Sequence, residues 1–179
     1  MREPTLPALL LSQFHAALAM LAECVERCPE DRWDGRGALA IGTMPFWEVA
    51  YHALCFVDCY LSPSNEAFEG EIASRGARFH PEGMRELSQE HPSRRFERDE
   101  LRRYAAFCRD KAATVLAAET DASLAGPSGF SWLAMPRAEV HLYNLRHLAH
   151  HTGQLTAFLR RAGVQTKWCK AGWREPARE

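Results

Sequence analysis

EVHLYNLRHLAHHTGQLTAFLRR, Glu139 to Arg161, carries four of the chain's eight histidines and, apart from Gly153, neither glycine nor proline. It reads as one long helix. At about 3.6 residues per turn, His147 and His151 stand one above the other on the same face, an i,i+4 pair with the spacing to grip one metal ion. His150 falls about 60° from His147 around the axis, at 100° per residue, and so outside that pair's reach. Two imidazoles leave a divalent ion short of ligands, so a third has to come from elsewhere in the chain.

The candidate is His52, the one histidine in the apolar run AYHALCFVDCYL from Ala50 to Leu61. Read alone, a histidine in so apolar a helix is a hydrogen-bonded core residue. Beside a matching pair on another helix it becomes the third ligand. Three neutral imidazoles suit Zn²⁺, Ni²⁺ or Fe²⁺, with zinc the default, and leave positions for water or substrate. Two rival readings of the histidine spacing fail on named residues. In the zinc-protease motif a glutamate follows the first histidine, and Leu148 stands there instead. The di-iron bundle needs Glu-x-x-His motifs, which the chain lacks.

Outward from this helix, the chain divides into four helical segments. Thr5 caps the first, which runs to about Glu26 or Cys28 with Leu10, Phe14, Leu18, Leu21 and Val25 as its apolar stripe; His15 lies beside the stripe, at the boundary. Pro29 ends it, and Trp33 anchors the turn-rich stretch that follows. Thr43 and Pro45 open the second helix, which stops before Pro63. From Ser62 to Ser93 the pattern fades into a long connection with at most short helical turns, where Phe68, Phe79 or Met84 can cover one end and His80 and His91 face solvent. Ser93 caps a third helix, Arg94 to about Ala118, with one apolar and one charged face. Thr120 to Pro136 connects to the final helix, plugged by Phe130, Trp132, Leu133 and Met135. The tail from 164 to 179 carries Trp168 and Trp173, which should pack on the bundle or on a second subunit.

A chain of 179 residues is one domain's worth, enough to bury roughly 70% of its unfolded surface. A formal net charge of −1 argues against nucleic acid as a partner. No run reaches the length of about 20 apolar residues that a membrane span requires, so neither a membrane nor a secretory route is expected, and the cytoplasm is. The six cysteines contain no Cys-x-x-Cys pair; Cys24/Cys28 and Cys55/Cys59 read as core residues.

HLAHHTGQLTAFLRRAG resembles the last helix of the DinB superfamily, the DinB/YfiT-like metal-dependent proteins. The family pattern of His, three residues, His, a small residue, Gln, an apolar residue and a closing Leu-Arg and Gly falls on His147, His151, Gly153, Gln154, Leu155, Leu159, Arg160 and Gly163. The resemblance implies an all-α four-helix bundle with long connections, a third ligand on the second helix at His52, and one divalent ion. It also implies a function: relatives include metal-dependent transferases that use low-molecular-weight thiols. The leading expectation is therefore a metal-dependent thiol S-transferase acting on a small molecule; pairing through the apolar tail would make it a homodimer. A metal-dependent hydrolase, or a stress-associated binding module with a structural or vacant site, is the alternative. Around the three ligands, Tyr143 and Asn144 share the metal-facing side. Gln154 and His150 are candidates to support the ligands, and Glu48, one turn before His52, is a base or fourth-ligand candidate with a plain helix-dipole role as its rival.

Overall fold

The stripe from Leu10 to Val25 folds as α1 (Leu6–Arg27), with the Thr5 hydroxyl accepting from the Ala8 amide at 3.4 Å. The computed structural model describes residues 3–35, 44–75 and 94–176, without the side chains of 72–75. Thr43, Phe79, His80, Met84, His91 and Ser93 lie outside those residues. The remaining helices are α2 (Glu30–Trp33), α3 (Phe46–Leu61), α4 (Asn65–Arg75), α5 (Arg98–Ala118), α6 (Asp121–Ala125) and α7 (Arg137–Arg161). Among the described residues there is no strand, and the fold is all-α.

Each of α1 and α3 packs along both α5 and α7, while α1 and α3 barely meet, so these two stand diagonally across a core. Phe14, Leu18, Leu54, Tyr104, Leu148 and Phe158 fill it. By length and composition α1 is apolar enough to cross a membrane, contrary to the expectation from the sequence. More than half of its most apolar 18-residue stretch is nevertheless buried, because it faces α5 and α7. The cysteines are all free and buried. Burial pushes the Cys24, Cys28 and Cys59 thiols up, to about 11, 12 and 12, so they stay protonated core groups.

Four boundaries differ from the sequence reading, each for a physical reason. The N-cap position of α3 is held by Pro45 itself, with no side-chain cap. The stretch after Pro63 forms α4, an 11-residue helix. Its sequence NEAFEGEIASR has no repeating apolar face, so periodicity misses it. It is started by the Ser64 hydroxyl, which accepts from the Ala67 amide at 3.2 Å, and pinned by buried Phe68. Helix α5 begins at Arg98 rather than Arg94, because Phe96 is buried in an extended lead-in, stacked on Tyr51 at 4.3 Å. The cap there is a box between Glu97 and Glu100. The connection to α7 contains the short helix α6, capped by Thr120.

Two arginines close helix ends that belong to other elements. Arg98 donates to the carbonyls of Val25, Glu26 and Cys28 at 2.6, 2.9 and 2.6 Å, satisfying the end of α1. Arg137 stands at the start of α7, where the helix dipole disfavours a cation. Its guanidinium instead donates to Tyr60, Leu61 and Ser62 carbonyls at 3.1, 2.9 and 2.8 Å and to Glu119 at 3.2 Å. Four charge-assisted bonds outweigh the dipole term of at most about 1 kcal/mol. Glu119 also pairs with His141 at 2.8 Å, so the ends of α3, α5 and α7 meet at one buried ionic knot.

A second knot ties α4 to α3 and α5. Lys111 donates to Asp58 at 2.8 Å, to Glu71 at 2.6 Å and to the Ser62 hydroxyl at 2.6 Å, and Tyr104 donates to Asp58 at 3.0 Å. Beside it, Gly129 presses its backbone on the end of α3: with φ +83°, and with a Cβ that would lie 1.8 Å from the Pro63 carbonyl oxygen, no other residue fits. Helix α7 ends in a Schellman turn, with Val164 donating to Leu159 at 2.9 Å, Gly163 to Arg160 at 3.0 Å and Gly163 at φ +79°. This turn sends the tail back onto α1. There Gly172 donates to the Ser12 carbonyl at 3.0 Å, Cys169 packs on Ala16 and Ala19, and Trp173 joins them. Trp168 does not pack; it is 72% exposed.

Candidate metal centre

The chemistry of the site starts from α3 and α7 lying side by side. One helical turn separates His147 from His151, and their Nε2 atoms are 3.1 Å apart. His52 projects from α3 between them, its ring centroid 5.1 Å from His147 and 4.7 Å from His151. One ligand atom from each of the three lies within 4.8 Å of those of the other two, and all three side chains are half-buried. The structure thus brings His52, His147 and His151 to one point.

The donor set fits a divalent ion. Two nitrogens held about 2.0–2.1 Å from one ion stand roughly 2.9–3.4 Å apart for angles of about 90–110°, which spans the observed separation. The Gln154 amide oxygen lies 2.7 Å from His151 Nδ1. An amide oxygen only accepts, so Nδ1 carries the proton and the Nε2 lone pair is turned toward the other rings. His147 Nδ1 is buried without a partner.

All three imidazoles are held neutral. Burial, then the neighbouring His151, pushes His52 down to about 4. Burial, then the crowding of His151, His52 and His150, pushes His147 down to about 3. Burial lowers His151 too, opposed by Gln154. Ligation needs the neutral form, so the site is poised for it at neutral pH. A consequence follows for the metal-free protein. The unfolded chain takes up protons below about pH 6.5, whereas the folded His52 does so only near pH 4, so stability is retained above 6.5 and lost as the pH falls toward 4. Urea melts in a chelator at pH 7 and pH 5 should show the wild type losing more stability than His52→Asn, by up to about 1.4 kcal/mol per pH unit. Equal losses would mean that the folded ring protonates normally.

The other residues named from the sequence are placed as follows. Tyr143 is half-buried, its ring centroid 6.5 Å from His147. Asn144 is buried and donates to the Val57 carbonyl at 3.3 Å, clamping α7 to α3. His150 is exposed, its ring edge-on to His151 at 5.0 Å. Glu48 is buried in the first turn of α3 and does not join the three imidazoles. Among the described residues no carboxylate or thiol does.

Sequence reasoning missed a wall of aromatic rings. Phe56 lies 4.8 Å from His52 and 5.0 Å from His147, Tyr60 lies 5.4 Å from Phe56, and Tyr143 and Phe130 lie 5.4 and 5.3 Å from Tyr60. Burial above all pushes the Tyr60 phenol up, so it remains a proton donor. The signal was in the spacing: His52, Phe56 and Tyr60 recur every four residues along α3. Phe130 and Leu133 plug the connection before α7 as expected, whereas Trp132 is 51% exposed.

A family model described as the DinB superfamily matches residues 13–155. The crystal structure of a DinB-like protein from Bacillus subtilis shares the fold with a TM-score of 0.60 and 16% identity, over 92% of this chain and 99% of that one. Among curated proteins none matches the chain significantly.

Proposed function

The chain belongs to the DinB superfamily, and from that membership we propose that it is a divalent-metal-dependent enzyme that activates a low-molecular-weight thiol for S-transfer. The observation that carries this reading is the convergence of three neutral imidazoles from two helices on one point. His52, His147 and His151 would hold the ion, with zinc first and nickel or iron as fits of the same nitrogen donors. When bound, a divalent ion would lower the pKa of a thiol at this point and so supply a thiolate at neutral pH.

The remaining work falls to the chain's own residues. Gln154 fixes the His151 ring, so that its lone pair needs no reorientation. Phe56, Tyr60 and Tyr143 form an apolar flank that excludes water from one side of the histidines and offers a surface to a small-molecule substrate. The half-buried Tyr143 phenol lies along that flank, suited to orient a polar group of the electrophile, with buried Tyr60 behind it. The hydrolase alternative would draw on the same ion, which acidifies a bound water as it does a thiol; Glu48, the base candidate from sequence, lies outside the three-ring group. Six free, buried cysteines accord with a reducing, cytoplasmic setting.

Protein made without a histidine tag and loaded with cobalt in place of zinc provides the test. Adding 2-mercaptoethanol should produce a thiolate-to-cobalt charge-transfer band. A loaded protein that shows no such band under any thiol tested, yet titrates near neutral pH in its d–d spectrum, would point to hydrolysis. A protein that takes up no ion would remove the enzymatic reading altogether.

A further inference from the structure

A groove of about 810 Å³ runs between α1 and α7 and under the returning tail, away from the histidines. At 100° per residue, Leu145, Ala149 and Thr156 project roughly 160–200° from His147, so the groove occupies the opposite side of α7. Along α7 it extends from Leu142 to Arg161, about 28 Å at 1.5 Å per residue.

Its floor is made of small residues, Ala16 and Ala17 from α1 and Ala149, Gly153 and Ala157 from α7. The polar groups in the floor are already satisfied within the chain. Thr152 donates to the Leu148 carbonyl at 2.8 Å, Thr156 pairs with Cys24 at 3.4 Å, and Gln13 donates to the Lys170 carbonyl at 3.3 Å. The groove is therefore apolar in what it asks of an occupant. At its sides stand Leu142 and Trp168, 52% and 72% exposed, the two most exposed large hydrophobic side chains among the described residues.

Charge is what selects the occupant. Arg146, Arg160, Arg161 and Lys167 line the groove and no aspartate or glutamate does. The whole chain has a formal net charge of −1, so this is a local excess and not a general one. None of the four cations pairs with a carboxylate among the described residues, in contrast to Arg94, Arg102 and Arg109, each of which has an acidic partner. A second copy of the chain docked face to face would set four like charges against four, which disfavours self-pairing on this face.

The groove is about half open to solvent, with the tail along one edge, which separates the acidic ligands from one another. A single acyl chain laid in it would leave one side of its apolar surface in water. An amphipathic helix would bury its apolar stripe on the small-residue floor, where backbones approach closely, and leave its polar face hydrated. We propose that this groove docks an amphipathic helix of a partner protein whose apolar stripe is flanked by acidic residues. Trp168 and Leu142 hold the stripe, and Arg160, Arg161 and Lys167 pair with the flanks, while the Arg146 guanidinium lies 5.3 Å over the Tyr143 ring.

A display library of 20-residue helices provides the test, with leucine and alanine fixed at the seam and every flanking position divided among Glu, Gln and Lys. Selection on the full-length chain should enrich Glu at the flanks. The enriched helix should bind the Arg160→Gln/Arg161→Gln variant at least tenfold more weakly, bind Trp168→Ala more weakly still, and lose affinity as salt rises. Each substituted side chain is exposed, so folding is not at stake, and metal content should be unchanged. Enrichment without preference for Glu overturns the proposal, and so does binding indifferent to the two arginines. Displacement of the helix by dodecanoate at its monomer concentrations would assign the groove to an acyl ligand instead. Sedimentation of the chain alone as a dimer in which iodide no longer quenches Trp168 would assign it to a second copy, and either result sinks the partner helix.

Discussion

His147→Ala is expected to lower the affinity of the chain for zinc by at least a hundredfold while leaving its helical circular-dichroism spectrum in place. The ring it removes contributes the Nε2 that stands 3.1 Å from that of His151 and faces His52 across α3. Two imidazoles remain, and two neutral ligands do not hold a divalent ion against water as three do. Gln154→Leu provides the graded comparison. It removes no ligand but frees the His151 ring, and an outer support of this kind is worth about 10–100-fold in affinity. The expected order of affinity is therefore wild type, Gln154→Leu, His147→Ala. Competition with a chromogenic chelator measures all three. An unchanged affinity in His147→Ala would place the ion elsewhere and take the proposed chemistry with it.

Lys111→Met should have the largest effect on stability, about 3–5 kcal/mol, the usual cost of breaking one side of a buried ion pair. The Lys111 side chain is 10% exposed and Asp58 is fully buried, so water cannot take over the pairing. Methionine keeps most of the stem's packing but leaves the Asp58 carboxylate without its cation and Glu71 without its link to α5. At about 2–4 °C per kcal/mol for a chain of this size, the melting temperature should fall by roughly 6–20 °C. Pairing the change with Asp58→Asn should restore part of the loss, because the buried group that faced the ammonium is then neutral. A single-variant loss under about 1 kcal/mol would show that the pair is screened like a surface one.

The long helices and the three histidines were legible because each rests on short-range pattern. The stripe in α1, its Thr5 cap and the i,i+4 spacing of His147 and His151 are all properties of residues within two turns of one another. That His52 meets them required two helices to lie in register, and the resemblance supplied that. What remained hidden was of two kinds. Polar helices such as α4 carry no apolar period, so their caps and ionic ties are invisible until the fold is known. Long-range side chains were the other: Arg98 and Arg137 look like surface charges in sequence, yet each closes a helix that lies 70 or more residues away along the chain. Trp168 is the converse case: its size argued for packing on the bundle or on a second subunit, and within this chain Trp173 packs while Trp168 stands in solvent at the edge of a basic groove.

The contact of Gly129 with Pro63 has a consequence for how freely this corner can vary in length. Because the two backbones touch with no room for a Cβ, the stretch from Gly129 to Phe130 acts as a ruler that sets Phe130 5.3 Å from Tyr60. One inserted residue would slide Phe130 by up to about 3.5 Å, more than half of that separation, and would strip a ring from the flank beside the histidines. Insertions here would be felt in the row of rings that Phe130 shares with Tyr60 along α3.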